Sequence, residues 1–316
     1  MFERPTSAII LLLLLAFVRP TPAGAQQLAD TTYRPEVARP AYASGAGPTV
    51  AIDEAHHEFH TLEGRYAPFA RLLRVDGYVV EANRAPFSRD SLTRIDIPVI
   101  ANALAEENTQ GRWYLPTPSA FTDDEIDAVR GWVEDGGSLL LIADHMPFAG
   151  AAERLAAAFG LIFQNGFALS PDPTAAGPLV FRRGDGSLAD HPITDGRRPD
   201  QRVDSVATFT GQAFRAAPGA RVQPLLVVQA PVQLLLPEEA WVFSEYRTPR
   251  VSAAGLLQGA VVAVGRGRVA AFGEAAMFTA QRAGPQAAPV GMNHPVAADN
   301  ARLALNVLHW LSGSLP

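Results

Sequence analysis

The chain has 316 residues, 48% of them hydrophobic, which is enough for a large buried core, and its net charge of −6 without a basic run argues against a nucleic-acid partner. It contains no cysteine, so thiol nucleophiles, thiolate metal ligands and disulfides are excluded. All 26 basic residues are arginine, which also removes Schiff-base chemistry and the phosphate-loop lysine.

Arg4 precedes an unbroken apolar run of 11 residues, Ala8 to Val18, followed by Pro20, Pro22 and then Ala23-Gly24-Ala25. A charged start, an apolar stretch and a small-x-small site form a secretory signal, with cleavage expected before Gln26. The run is too short for a bilayer core, which takes about 20 residues. The expectation is an exported chain, periplasmic or secreted, that loses residues 1–25 and keeps no transmembrane segment. Residues 26–48, rich in Pro, Ala, Thr and Gly and without a period, read as a linker or extended arm.

Residues 49–316 read as one α/β domain. Thr49 to Asp53 is a short apolar run of the kind a buried parallel strand shows. Tyr66 to Val75 places Phe69, Leu72 and Leu73 at helical spacing, and Gly77 ends it. Tyr78 to Ala82 and Ile97 to Ala101 are further strands, with a short polar helix near Ser88 to Arg94 between them. Thr122 with Glu125 three residues on predicts a capped helix, with Ile126, Val129, Trp132 and Val133 as its apolar stripe and Gly136-Gly137 as its end. Ser138 to Ala143 is a fourth strand, and Ala149 to Phe159 a helix. Residues 165–250 carry turn signals between extended runs and predict a β-rich insertion or an antiparallel edge. Ala260 to Val264 and Val269 to Phe272 form a hairpin around Gly265-Arg266-Gly267, and Val296 to Ser312 is the last helix. Strands alternating with helices predict a mainly parallel sheet covered on both faces.

Ligands of open α/β sheets bind beyond the carboxyl ends of the strands. Three strands here run into polar clusters: Asp53-Glu54-Ala55-His56-His57-Glu58-Phe59-His60, then Asp144-His145, then Gly273-Glu274. If the sheet is parallel they share one edge, and the Asn293-His294 loop is placed to cover it. Imidazole with carboxylate suits zinc, manganese or iron, and a metal-bound hydroxide needs neither Cys nor Lys. Asp53, His56, His57 and His60 are the candidate ligands, with His145 and Asp144 as further ones; Glu274 or Glu54 is the candidate general base. His56 and His60 share a face only if their segment is helical, and the spacing is not the zincin one. The competing reading takes Asp53, Asp144 and Glu274 as caps on exposed amides. A metal-free acid/base pair of Asp144 with His57 or His145 is a third. Gly265-Arg266-Gly267 precedes a strand, so it is no phosphate loop, and no serine-hydrolase elbow occurs. Asp190-His191 reads as a loop, His309 as a packing histidine, and Arg182-Arg183 as solvated surface.

The strand ending in Asp53-Glu54-Ala55-His56, the helix with Tyr66-Ala67-Pro68-Phe69-Ala70, the strand Ile97-Pro98-Val99-Ile100-Ala101-Asn102, and Trp132-Val133 through Gly136-Gly137-Ser138 to Asp144 resemble the class I glutamine amidotransferase-like superfamily. They are most similar to its uncharacterised secreted branch, related to accessory domains of gliding-type ABC transporters and of intraflagellar transport proteins. The resemblance covers roughly residues 49–164 and 260–312 and implies a flavodoxin-like three-layer sandwich. True amidotransferases carry a cysteine on a sharp strand-to-helix turn; here that turn reads Ala143-Asp144-His145-Met146-Pro147, so glutamine hydrolysis is not implied. Two expectations remain: a metal-assisted hydrolase on a small or carbohydrate-like substrate, or a non-catalytic envelope module binding a small molecule or an envelope protein.

Overall fold

Val50, Ala51 and Ile52 offer no polar side chain to water, and they form the buried centre of strand β1 (Thr49–Asp53). In the computed structural model, which describes residues 27–172 and 177–316, this strand starts an alternation of elements; the expected signal, residues 1–25, lies outside the described residues. The elements that follow are α1 (Ala67–Val75), β2 (Val79–Asn83), β3 (Ile97–Ala101), α2 (Asp123–Glu134), β4 (Ser138–Ile142) and α3 (Phe148–Ala157). After a long excursion come β5 (Val222–Val227), β6 (Leu257–Val264), β7 (Gly267–Phe272) and α4 (Asn300–Leu311). Thr122 and Glu125 close the expected reciprocal cap at the start of α2.

The seven strands lie in the order β5-β6-β7-β4-β3-β1-β2. β2, β1, β3, β4 and β7 are mutually parallel, while β6 runs antiparallel to both β7 and β5. Read from β2, the parallel part has the strand order of doubly wound flavodoxin-type sheets, and the winding direction reverses at β1. Strand side chains alternate between two cores, as a period of two requires. Val50, Ile52, Leu140 and Ile142 pack with Phe69, Leu72 and Leu73 of α1 and Leu303, Val307 and Leu308 of α4. Ile100, Leu139, Leu141 and Val269 pack with Ile126, Val129 and Val133 of α2 and Leu155 of α3.

The β-rich excursion forms small antiparallel ribbons: residues 167–169 pair with 233–235, these with 250–252, and 179–182 with 205–208. Its strand β5 joins the main sheet as the edge. Residues 28–29 of the arm pair with the 280–283 strand, and Tyr33, Val37 and Tyr42 pack against the core. Arg183 departs from its reading as solvated surface. It is mostly buried, donates to the carbonyls of Thr194 (2.8 Å) and Val203 (3.2 Å), and pairs with Asp195 at 3.0 Å, so it ties two loops together. His309 is the expected packing histidine, its Nε2 2.6 Å from Asp76 Oδ2. Among the described residues no helix is long and apolar enough to cross a membrane.

Candidate functional site

Because five strands are parallel, their carboxyl ends deliver side chains to one edge. Asp53 closes β1, Asn83 closes β2, Asn102 follows β3, Asp144 and His145 follow β4, and Glu274 follows β7. Asn83 Nδ2 donates to Asp53 Oδ1 at 2.7 Å, and Asp144 N donates to Asn102 Oδ1 at 2.8 Å, so neighbouring strand ends are stitched together.

The first group forms around His56. Its Nδ1 lies 2.6 Å from Asp53 Oδ2 and its Nε2 2.7 Å from Glu125 Oε1. Neither carboxylate oxygen donates, so both ring nitrogens carry protons and His56 is an imidazolium clamped between two acids. Burial opposes that charge, but the bonds and charges of Asp53 and Glu125 outweigh it and hold the imidazole above its ordinary range. Glu125 does two jobs: Oε2 closes the helix cap on Thr122 N (3.0 Å), while Oε1 takes His56 and Phe87 N (3.1 Å). Glu58 completes the group. Its Oε2 accepts His56 N at 3.1 Å, its side chain is fully buried, and burial together with the adjoining Asp53 carboxylate pushes its carboxyl up to about 10. Glu58 Oε1 lies 3.9 Å from His56 Nδ1, and the raised carboxyl hydrogen-bonds Asp53, so the two acids share a proton. Asp53, His56 and Glu58 each place one donor atom within 4.8 Å of the others.

The second group lies around Asn102. Asn102 Nδ2 donates to His60 Nδ1 at 3.2 Å, which leaves the ring proton on His60 Nε2, a buried atom with no partner among the described residues. Glu274 is fully buried, and both its oxygens accept backbone amides, from Ala276 (3.0 Å) and Met277 (2.7 Å). Burial and the charge of Asp144 nonetheless push its carboxyl well above the ordinary range. His145 bonds the Met146 carbonyl through Nδ1 at 2.6 Å, so that nitrogen carries a proton. Its ring stacks on Phe167 at 4.6 Å and meets Trp241 edge-on at 4.7 Å.

The expected quartet Asp53, His56, His57 and His60 is therefore not one ligand set. The segment after β1 is an irregular loop, and His57 sits exposed in left-handed backbone (φ 53°), which turns the chain between His56 and Glu58. His60 belongs to the Asn102 group. Among the described residues no other trio of histidine and acidic side chains meets the donor spacing, so His57, Asp144 and His145 do not form one either. Glu54, a candidate base, is occupied at both oxygens, by Leu62 N (2.9 Å) and Arg84 Nη2 (3.1 Å). Glu274 serves the 276–278 turn as a cap, the competing reading made of it. Asn293 ties Asp30 of the arm to the Gln281 carbonyl, each at 2.9 Å, and His294 lies 5.3 Å from the Phe209 ring; both brace the arm side of the molecule. Glu58 and Glu125 were visible as carboxylates in the sequence, but nothing in their spacing announced that both would meet His56.

His60 yields a pH prediction. Burial, with Arg65 and His145 nearby, drops its imidazole to about 3 from an ordinary 6.5. The unfolded chain therefore takes up a proton below pH 6.5 that the folded chain refuses until about pH 3, and stability falls as pH drops through that window. His60→Phe is expected to flatten the decline in melting temperature between those values; an unchanged slope would contradict the assignment.

No protein-family model matches the sequence, and no curated protein matches it. Among solved structures, one described as "mmIFT52 N-terminal domain" superposes with a TM-score of 0.57 at 11% identity, covering 83% of this chain and 97% of that one. A ThuA-like protein from Bacteroides uniformis ATCC 8492 gives 0.44 at 14% identity, over 88% of this chain and 94% of its own. Another from Parabacteroides merdae ATCC 43184 gives 0.46 at 10% identity, over 85% and 91%. At these identities the likeness to the first is one of fold.

Proposed function

We propose that the chain is an exported module of the amidotransferase-like kind, a flavodoxin-like three-layer sandwich, that binds a divalent cation on Asp53, His56 and Glu58 and engages a small molecule or protein partner in the cell envelope. The carrying observation is the trio itself: the buried Glu58 carboxyl shares a proton with the Asp53 carboxylate beside an imidazole, and one donor atom of each lies within 4.8 Å of the others. A divalent cation replaces the proton that two buried carboxyls otherwise share and lets both ionise. Zinc or manganese suits this oxygen and nitrogen set. Tetrahedral zinc sets its donors about 3.3 Å apart, so Glu58 Oε1 would draw in toward His56 Nδ1 from 3.9 Å while Asp53 Oδ2 moves off from 2.6 Å. Glu125 would then accept the proton on His56 Nε2 and fix the ring, as a carboxylate behind a metal-bound histidine does.

A binding role is favoured over hydrolysis because the acids are sealed: Asp53, Glu274 and the side chain of Glu58 have no exposed surface. A catalytic metal keeps a position open to water. One observation supports the hydrolase as a second reading. Burial and the nearby charge of Asp144 push the Glu274 carboxyl well above its ordinary range, which puts a weakened acid near a second carboxyl group. In that version a bound metal supplies an activated water, and Asp144→Asn abolishes turnover of a small-ester panel while leaving metal content unchanged.

The deciding experiment is elemental analysis of the full chain after exchange into zinc- or manganese-containing buffer, with melting followed in parallel. About one equivalent of metal and a raised melting temperature are expected. No retained metal together with an unchanged melting temperature would falsify the metal centre.

A further inference from the structure

The β-rich excursion carries an aromatic and acidic hollow outside the centre described above. Residues 113–115 run beside residues 238–240: Leu115 N donates to the Glu238 carbonyl and Ala240 N to the Trp113 carbonyl, both at 2.8 Å, and Tyr114 bridges Glu239. Against this ladder lies a hollow of about 340 Å³, lined chiefly by Tyr114, Leu115, Glu238, Glu239, Val242 and Arg247. That volume is at the lower end of small-molecule sites, which start at about 300 Å³.

Three features set it apart from ordinary surface. Tyr114, Leu115, Trp241 and Val242 are each about half exposed, so two facing segments present apolar side chains to water together. The side chains of Glu238, Glu239 and Arg247 make no hydrogen bond or ion pair among the described residues. Trp241 holds left-handed backbone (φ 67°), a conformation bulky residues avoid, and is held there by contacts with the rings of His145 at 4.7 Å and Phe167 at 4.6 Å. Such strain persists where the surroundings impose it, commonly at ligand sites.

We propose that this hollow binds a neutral carbohydrate, one pyranose ring lying against Tyr114 and the next reaching Trp241. An aromatic face accepts the apolar C–H face of a sugar, while carboxylates and a guanidinium offer paired acceptors and donors for adjacent hydroxyls. Other occupants fit less well. Two glutamates against one arginine disfavour an anionic ligand. Glutamate is depleted in protein–protein interfaces, whereas two line this hollow. The inference is independent of the metal centre, so the two fail separately.

The test is calorimetric titration of the full chain with neutral tetrasaccharides of glucose, mannose and N-acetylglucosamine, α- and β-linked, with choline as a control. At least one sugar is expected to bind with a Kd of about 0.01–1 mM. Tyr114→Ala and Trp241→Ala are each expected to weaken it by about tenfold or more. Tyr114 is half exposed, so its variant should melt with the wild type, and Glu239→Gln gives a second probe that leaves the rings intact. The proposal is overturned by no heat from any sugar up to about 10 mM, by binding that survives both aromatic truncations, by choline binding in place of sugar, or by sedimentation showing a dimer that Tyr114→Ala dissolves.

Discussion

Glu58→Gln is expected to raise the melting temperature of the metal-free protein at pH 8 and to abolish the further rise that zinc produces. The folded chain keeps Glu58 protonated up to about pH 10, whereas the unfolded chain releases that proton near its ordinary 4.5. Between those values the folded state binds the extra proton, so stability falls as pH rises. Glutamine keeps the neutral shape and an oxygen for His56 N but has no proton to lose. Removing the penalty is worth about 5 kcal/mol at pH 8, which raises the melting temperature of a chain of this size by several degrees. Zinc at about a hundred times its Kd should raise the wild type by about 2.7 kcal/mol. A variant that is more stable without metal and indifferent to it separates loss of a ligand from loss of the fold. A variant that melts lower at pH 8, or that still responds to zinc, would refute the role given to Glu58. Differential scanning calorimetry with and without zinc reads both halves.

His56→Ala is expected to be the most damaging single change in the polar centre. It leaves the carboxylates of Asp53 and Glu125 buried with no cation between them. Removing one partner of a buried charged pair costs about 3–5 kcal/mol, because the remaining charge is stranded. The loss should be larger at pH 7 than at pH 4, where protonation relieves stranded carboxylates in the variant, while in the wild type His56 holds the Glu125 carboxyl below its ordinary range. Chemical denaturation at the two pH values measures this; an equal loss at both would mean that His56 acts by packing against Phe87 and Phe121, which its ring also meets at 5.1 and 4.5 Å.

Much of the fold was legible because its signals are local. The apolar runs of β1, β3 and β4 and the Thr122–Glu125 cap are set by neighbours within a few residues, and each formed where expected. That Asp53, Asp144 and Glu274 follow strand ends along one edge came from one inference, that the strands are parallel. Finer assignments within the cluster were not legible. His56 and His57 are adjacent and chemically identical in sequence, yet one is buried between two acids and the other is exposed, because His57 itself takes the left-handed backbone that turns the loop outward.

By itself, the sequence settled what the protein lacks and how it is layered. With no cysteine, the turn after β4 cannot hold the amidotransferase nucleophile, and with alternating strands and helices the polar ends must share an edge. Only the tertiary structure decided which side chains meet there. Glu125 lies 69 positions from His56, and Asn102 lies 42 from both His60 and Asp144. Contacts at that separation depend on how the helices seat the strand ends, and no local pattern encodes it. The same holds for Glu58: whether a carboxyl in a polar run is a solvated anion or a buried acid depends on what closes over it, and here the fold closes over it completely.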